Sequence, residues 1–274
     1  MTKDSIELGE AGAGREPRGG ERKRGIDRVI MLLEALLKHR APARVGDIAK
    51  MINAPRSTTY EMVNSLLEAE MLENVGAEGH VYFGRAMHLF GWAYGHHNAH
   101  YRRIIEAMER IAIDTQQTVQ ICGLRGNKYI VFDCRDSPGP FRISSDVGVE
   151  VPIPWTASGR LFVAHMTLEE LTAFIPPEDF RMQDGRVIEP ERFLAEAKAA
   201  RERGICVIGG LVDDYATCVA APIVVEPGGK CVACICFIVS SSVGRSRIQE
   251  LTRLLMESAR KLSRIEEETA AIGR

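Results

Sequence analysis

The chain has 274 residues, 45% of them hydrophobic and 26% charged, with a formal net charge of −2. That length allows two domains and a sizeable core, and the balance is that of a folded cytoplasmic protein. No apolar run reaches the roughly 18–20 residues of a membrane span, the N-terminus has no signal-like apolar stretch, and seven scattered cysteines suit free thiols in a reducing compartment better than a disulfide framework.

Residues 1–21 are Gly- and Glu-rich without periodicity and read as a disordered tail. Gly9, Gly12 and Gly14 follow no strand, so they make no case for a phosphate cradle. Ile26, Val29, Ile30, Leu33, Leu36 and Leu37 then recur at helical spacing and predict one apolar helix face. Val45, Ile48, Ala49 and Ile52 suit a short second helix. Asn53-Ala54-Pro55 breaks the chain and restarts it, because proline is tolerated in a first helical turn and not in an interior. A third helix buries Met62, Val63, Leu66 and Leu67, with Thr59 turned partly inward. Two short strands, "MLENV" and "HVYFG", flank the turn signal Gly76–Gly79. Three helices followed by a β-ribbon make a winged helix-turn-helix.

Charge within this module is uneven. From Arg22 to Arg56 nine Lys/Arg face three acids, whereas Ser57 to Gly84 holds five Glu and no Lys or Arg. A small DNA-reading module with one edge towards phosphates can show such a split, and so can an ordinary solvated surface.

"RAMHLFGWAYGHHN" predicts a connector helix weakened by Gly91 and Gly95. A long amphipathic helix begins at Ala99, followed by strands "TVQICGL" and "KYIVFDCR" and a loop with Pro138 and Pro140. Helices are expected at 157–166, 168–175 and 190–203. "TCVAAPIVV" and "CVACICFIV" read as a hairpin of central strands turning at Pro227-Gly228-Gly229, and a last helix spans about 245–268. The fold class is α+β: disordered residues 1–21, a DNA-binding domain at 22–84, a linker helix at 85–98 and a second domain at 99–274.

Two distant stretches carry a family resemblance. "IAKMINAPRSTTYEMVNSLLEAEMLE…VYFGRAMHLFGWAY" is similar to the DNA-binding half and connector of the IclR family of bacterial transcription regulators. "VPIPWTASGRLFVAH" and "GLVDDYATCVAAPIVVEPGGKCVACICFIVS" resemble its effector-domain signature, in the same order and spacing. The resemblance implies a winged-helix dimer joined to a GAF-like effector domain, often tetrameric on palindromic operator DNA, most commonly a repressor released by a small metabolite. It implies no cofactor, no metal, no membrane partner and no enzymatic activity.

Physical chemistry and the resemblance point to the same reading residues. The second helix of such a motif enters the major groove by its N-terminal end, where short hydroxyls, a flexible guanidinium and free backbone N–H groups meet phosphates and base edges. Arg56, Ser57, Thr58 and Tyr60 fit that work. Glu61 stands where the family commonly has arginine; it can accept from a cytosine amino group, or simply favour the helix macrodipole. Arg24 and Arg28, with Arg22 and Lys23, are either phosphate contacts or a solvated arm. The wing carries Glu78 and no Arg, so little minor-groove reading is expected from it.

In the second domain Trp155, Thr156, Ala157 and Ser158 run into a helix start able to hold a carboxylate or carbonyl oxygen, unless Ser158 is a plain N-cap. Cys218 and Cys236 match cavity positions of the family, and Asp213 is, with Asp214, the nearest acid where relatives that bind small acids often carry one. With Cys236 and Ile238 in place of cavity serines, the pocket should be less polar, walled by Trp155, Cys218, Cys236 and either Phe141 or Phe132. A short semialdehyde, lactone, hydroxy acid or small aromatic acid would suit it.

Three other readings compete. A thiol-dependent hydrolase would use Cys218 with His165 or an Asp, although no nucleophile elbow, P-loop or His-Glu-x-x-His pattern is present. A metal site would need Cys231 and Cys234, which a regular strand sends to opposite faces, or His96 and His100 at helical spacing with a second copy. A protein-interaction module would use the amphipathic helices at 99–116 and 245–268.

Overall fold

The computed structural model describes residues 25–76, 79–136, 147–211, 214–226 and 228–272, with the side chains of 99–100 and 264–272 excepted. The expected tail, Arg22 to Arg24, Glu78, Phe141 and Asp213 lie outside the described residues. Two compact units result, one ending at Arg102 and the other beginning at Arg103.

The first unit contains α1 (Gly25–His39), β1 (Ala43–Arg44), α2 (Val45–Met51), α3 (Arg56–Glu68), β2 (Leu72–Asn74), β3 (His80–Phe83) and α4 (Arg85–His97). Its three strands pair antiparallel in the order β1-β3-β2. Leu32, Leu36, Ile48, Val63, Leu66 and Leu72 centre the core. The α2–α3 turn places Asn53 at φ 49°, a left-handed position that asparagine tolerates better than most residues.

The predicted face of α1 needs correction. Leu32 and Leu36 point into the core, while Ile26, Ile30 and Leu37 are exposed. The helix is apolar on two sides, so its spacing alone does not say which side the core takes. Helix α4 buries none of its side chains and leaves Leu89, Phe90, Trp92 and Tyr94 exposed; Trp92 and His96 stack at 4.7 Å.

The second unit is built on a six-stranded antiparallel sheet in the order β6-β5-β4-β9-β8-β7. Its strands are β4 (Thr118–Arg125), β5 (Lys128–Arg135), β6 (Glu150–Pro152), β7 (Cys206–Gly209), β8 (Ala216–Val224) and β9 (Cys231–Ser240). One face packs on α5 (Ala99–Thr115) and α9 (Arg245–Ile272) through Met108, Val119, Ile235, Phe237, Leu251 and Leu255. The other packs on α6 (Ala157–Val163), α7 (Leu168–Phe174) and α8 (Pro190–Arg203) through Cys122, Leu161, Phe162, Phe193, Ala220 and Cys236. No described helix is long and apolar enough to cross a membrane.

Two β-bulges break the ladders. Between β4 and β5 the register steps from Ile121↔Asp133 to Cys122↔Val131, leaving Phe132 extra. Phe132 is 52% exposed and its ring lies over Gly123, on the face opposite Cys122. It therefore does not wall the predicted pocket. Between β8 and β9 the register steps from Ile223↔Ala233 to Val224↔Cys231, leaving Val232 extra. The expectation that Cys231 and Cys234 face opposite ways is overturned there: one added residue restores them to the same face, with their sulfurs 3.5 Å apart.

Candidate functional site

Helix α3 separates its side chains cleanly. Thr59, Met62, Val63 and Leu66 are buried, whereas Arg56, Ser57, Tyr60 and Glu61 are exposed and Thr58 is half-buried. The Thr59 hydroxyl donates to the Pro55 carbonyl (3.0 Å), closing the helix start from within. The Arg56 side chain folds back towards α2: a Cβ at Gly46 would lie 3.9 Å from its Nε. Lys50 foremost, then Arg44 and Arg56, hold the Asp47 carboxyl below its ordinary range. Cationic groups thus gather round the start of α2, beside the exposed front of α3. Arg28 is half-buried on α1, and the His100 side chain, the proposed chelating partner of His96, lies outside the described residues.

The run Thr156–Arg160 is explained by local chemistry. Thr156, not Ser158, is the N-cap of α6; its hydroxyl accepts from the Gly159 N–H (2.9 Å) and donates to the Ile153 carbonyl (3.2 Å). A Cβ at Gly159 would come within 2.0 Å of that same carbonyl, so only glycine fits. Arg160 is buried against the Phe193 ring, 4.9 Å from its centroid, and its guanidinium donates to the Thr156 carbonyl (3.0 Å) and to Glu196 (2.9 Å). Burial pulls the Glu196 carboxyl up, but Arg160 and Arg192 outweigh it and hold the group below its usual value.

That frees Ser158 for another role. It is 1% exposed, and its Oγ lies 2.9 Å from Cys236 Sγ on β9. Cys236 in turn sits 3.7 Å from Cys122 Sγ, which accepts from the Tyr129 hydroxyl (2.9 Å). Cys218 faces Cys236 and the Ala157 backbone; its contact with Cys236, then burial, push its thiol well up. Burial foremost does the same to Cys236 and to the Tyr129 phenol. Ala157, Ser158, Cys218 and Cys236 therefore come together as neutral groups. Trp155 is drawn aside: its indole N–H donates to the Asp179 carbonyl (2.8 Å), and the Asp179 carboxylate is held by Lys128 (2.6 Å).

Gln120 was missed in the sequence because its neighbours make "TVQICGL" look like an ordinary strand. It is 1% exposed and stands between Cys134 and Cys236 in the ladder, with its amide towards the Cys134 thiol. By alternation it shares the face of Cys122 and Cys236. Cavities of about 170 Å³ and 460 Å³ lie instead around the β8–β9 hairpin, and none of the predicted effector residues lines either.

Residues 97–264 match the family model of the bacterial transcriptional regulator IclR C-terminal domain, and residues 25–76 match that of the IclR helix-turn-helix domain. The chain belongs to the IclR family of transcriptional regulators. It is 21% identical to the HTH-type transcriptional repressor AllR of Salmonella paratyphi A over 78% of this chain and 84% of that one. An IclR transcriptional regulator from Alicyclobacillus acidocaldarius shares the fold at a TM-score of 0.80, with 18% identity over 90% of this chain and 100% of the other. An IclR homologue from Microbacterium hydrocarbonoxydans, solved with 4-hydroxybenzoate, gives a TM-score of 0.73, with 22% identity over 89% of this chain and 100% of that one.

Within the IclR frame, contact with Cys236 and then burial push the Cys218 thiol well up. His165, its nominal partner, lines the cavity beside Cys231.

Proposed function

We propose that this IclR-family protein is a repressor released from operator DNA by a small, weakly charged metabolite. The observation that carries the reading is the division of α3, with an apolar-backed inner face and Arg56, Ser57, Tyr60 and Glu61 turned outward. Seated in a major groove, that front end offers donors to phosphates and base edges, while Thr58 supports the backbone and Arg28 and Arg24 reach phosphates. The exposed apolar residues of α1 and α4, Ile26, Ile30, Leu37, Leu89 and Trp92, support pairing of two copies, and two dimers on one palindrome would add avidity.

The effector sits on the Ala157, Ser158, Cys218 and Cys236 face, with Trp155 and Thr156 at its edge. The buried Gln120 amide, between Cys134 and Cys236, supplies the donor for a carbonyl, hydroxyl or carboxylate oxygen. The 4-hydroxybenzoate in the Microbacterium homologue supports a small aromatic acid among the candidate classes. The test is a footprint on DNA flanking the gene, followed by a screen of metabolites made by the neighbouring enzymes for loss of protection. A protein that protects no site there would end the proposal, and protection that no candidate metabolite lifts would end its ligand half.

A further inference from the structure

The bulge at Val232 creates a pair of thiols with unequal access. Cys231 is half-buried and lines the cavity of about 170 Å³ together with His165, Arg201, Lys230 and Pro222. Cys234, whose sulfur is 3.5 Å from that of Cys231, is fully buried. The Cys122–Cys236 pair, at 3.7 Å, is closed to solvent at both sulfurs. We propose that Cys231 and Cys234 are an oxidant-responsive dithiol, in which a hydroperoxide entering the cavity oxidises Cys231 and Cys234 resolves it as an internal disulfide.

The cavity is built for the first step. Reactive cysteines are those that reach solvent in an electropositive setting, because the thiolate attacks. Arg201 and Lys230 supply that setting; the Arg201 guanidinium is anchored on the Gly228 carbonyl at 2.6 Å. His165 lines the cavity as well, with its imidazole set against the Phe162 carbonyl. Burial, then Lys230 and Arg201, outweigh the opposing Phe162 carbonyl and Glu170 and keep its imidazole neutral to lower pH than usual. In the reduced state the Cys231 thiol donates to the Ala233 carbonyl (3.1 Å).

The steps balance. The Cys231 sulfur attacks the hydroperoxide, an S–O bond forms and the O–O bond breaks, and the alcohol or water leaves with the Cys231 proton. The Cys234 sulfur then attacks Cys231, the S–S bond forms, the S–O bond breaks, and hydroxide leaves as water with the Cys234 proton. Two thiols are oxidised and one peroxide is reduced. Burial, then the neighbouring Cys231 sulfur, push the Cys234 thiol well up, so Cys231 and not Cys234 attacks first. Closure needs the sulfurs to move from 3.5 Å to about 2.05 Å, through the irregular end of the strand. The Cys234 thiol also contacts the Ser158 carbonyl (3.9 Å), so oxidation reaches the effector face; that consequence alone rests on the function proposed above.

The test uses the full chain, reduced, exposed to a modest excess of hydrogen peroxide and quenched with an alkylating agent in denaturant, with no DNA present. Mass mapping should show the peptide holding Cys231 and Cys234 two hydrogens lighter and unalkylated, with the other five of the seven cysteines alkylated. Cys231→Ser should abolish the change, Cys234→Ala should leave a Cys231 sulfenic acid that dimedone traps, and Lys230→Ala should slow oxidation several-fold. Because the wild-type map does not depend on a variant folding, it decides first. Full alkylation of both cysteines, a bridge between Cys122 and Cys236, or Cys231 carried to sulfinic acid without a bridge would each overturn the proposal.

Discussion

Ser158 Oγ on α6 and Cys236 Sγ on β9 lie 2.9 Å apart, joining a helix start to the centre of the sheet. Both are buried, so removing the Ser158 hydroxyl loses a buried polar contact, while Cys236 keeps those to Cys122 and Cys218. Ser158→Ala should lower stability by about 1 kcal/mol, read as a shift of a few degrees in melting temperature. Operator affinity without ligand should hold, and release by ligand should weaken. Unchanged release would remove Ser158 from the effector face.

Gly159 and Thr156 test the local geometry of the same turn. Gly159→Ala drives a methyl into the Ile153 carbonyl and should cost at least the roughly 1–3 kcal/mol typical of overpacking. Thr156→Ala loses the cap and the hydroxyl's long bond to the Ile153 carbonyl, together about 1 kcal/mol. Urea denaturation should rank them in that order.

On α3, Arg56→Ala should weaken operator binding by about tenfold or more, the loss of roughly 1–3 kcal/mol expected for a DNA-contacting arginine. Glu61→Ala removes a carboxylate that phosphates repel and should change affinity or sequence discrimination without altering melting temperature. Gel-shift titrations at fixed salt check both, and identical curves for all three proteins would exclude this helix as the reader.

A charged residue on the outer stripe of α1 should separate copies. Ile30→Asp, at an exposed apolar site, is expected to leave the helical spectrum intact and to shift sedimentation towards the monomer. A species that sediments as wild type would move the self-association surface elsewhere.

His165 gives a pH dependence with a definite sign. Its folded-state pKa is lowered by burial first, then by Lys230, so below the unfolded value of about 6.5 the unfolded chain takes up the proton more readily. Stability is then fully present above that pH and declines as pH falls through it. His165→Gln should flatten this limb in denaturant titrations between neutral and mildly acid pH.

Much of this molecule was legible before any coordinates. The order of helices, strands and central hairpin follows from periodicity and turn residues, and Arg56, Ser57, Tyr60 and Glu61 project outward as their placement at a helix front requires. What escaped has physical causes. Strands β1, β6 and β7 span two to four residues, too short for alternation to register. Helix α1 is apolar on two sides, so Ile26 and Ile30 look like core. Thr156 caps α6 and thereby releases Ser158, a division of labour that spacing alone leaves open. Gln120 hides in an apolar strand, and one unpaired residue in β9 reverses the parity on which the Cys231–Cys234 expectation was built.

That extra residue also makes the hairpin end a matter of stagger. Val224 stands opposite Cys231 and passes over Val232. Were it to meet Val232 instead, the chain from Cys231 back into the turn would rotate by half a revolution, and the Cys231 sulfur would exchange the company of Lys230 and Arg201 for the α9 side of the sheet. Which chemistry this edge displays is therefore set by a slip of a single residue, with no change in amino-acid content.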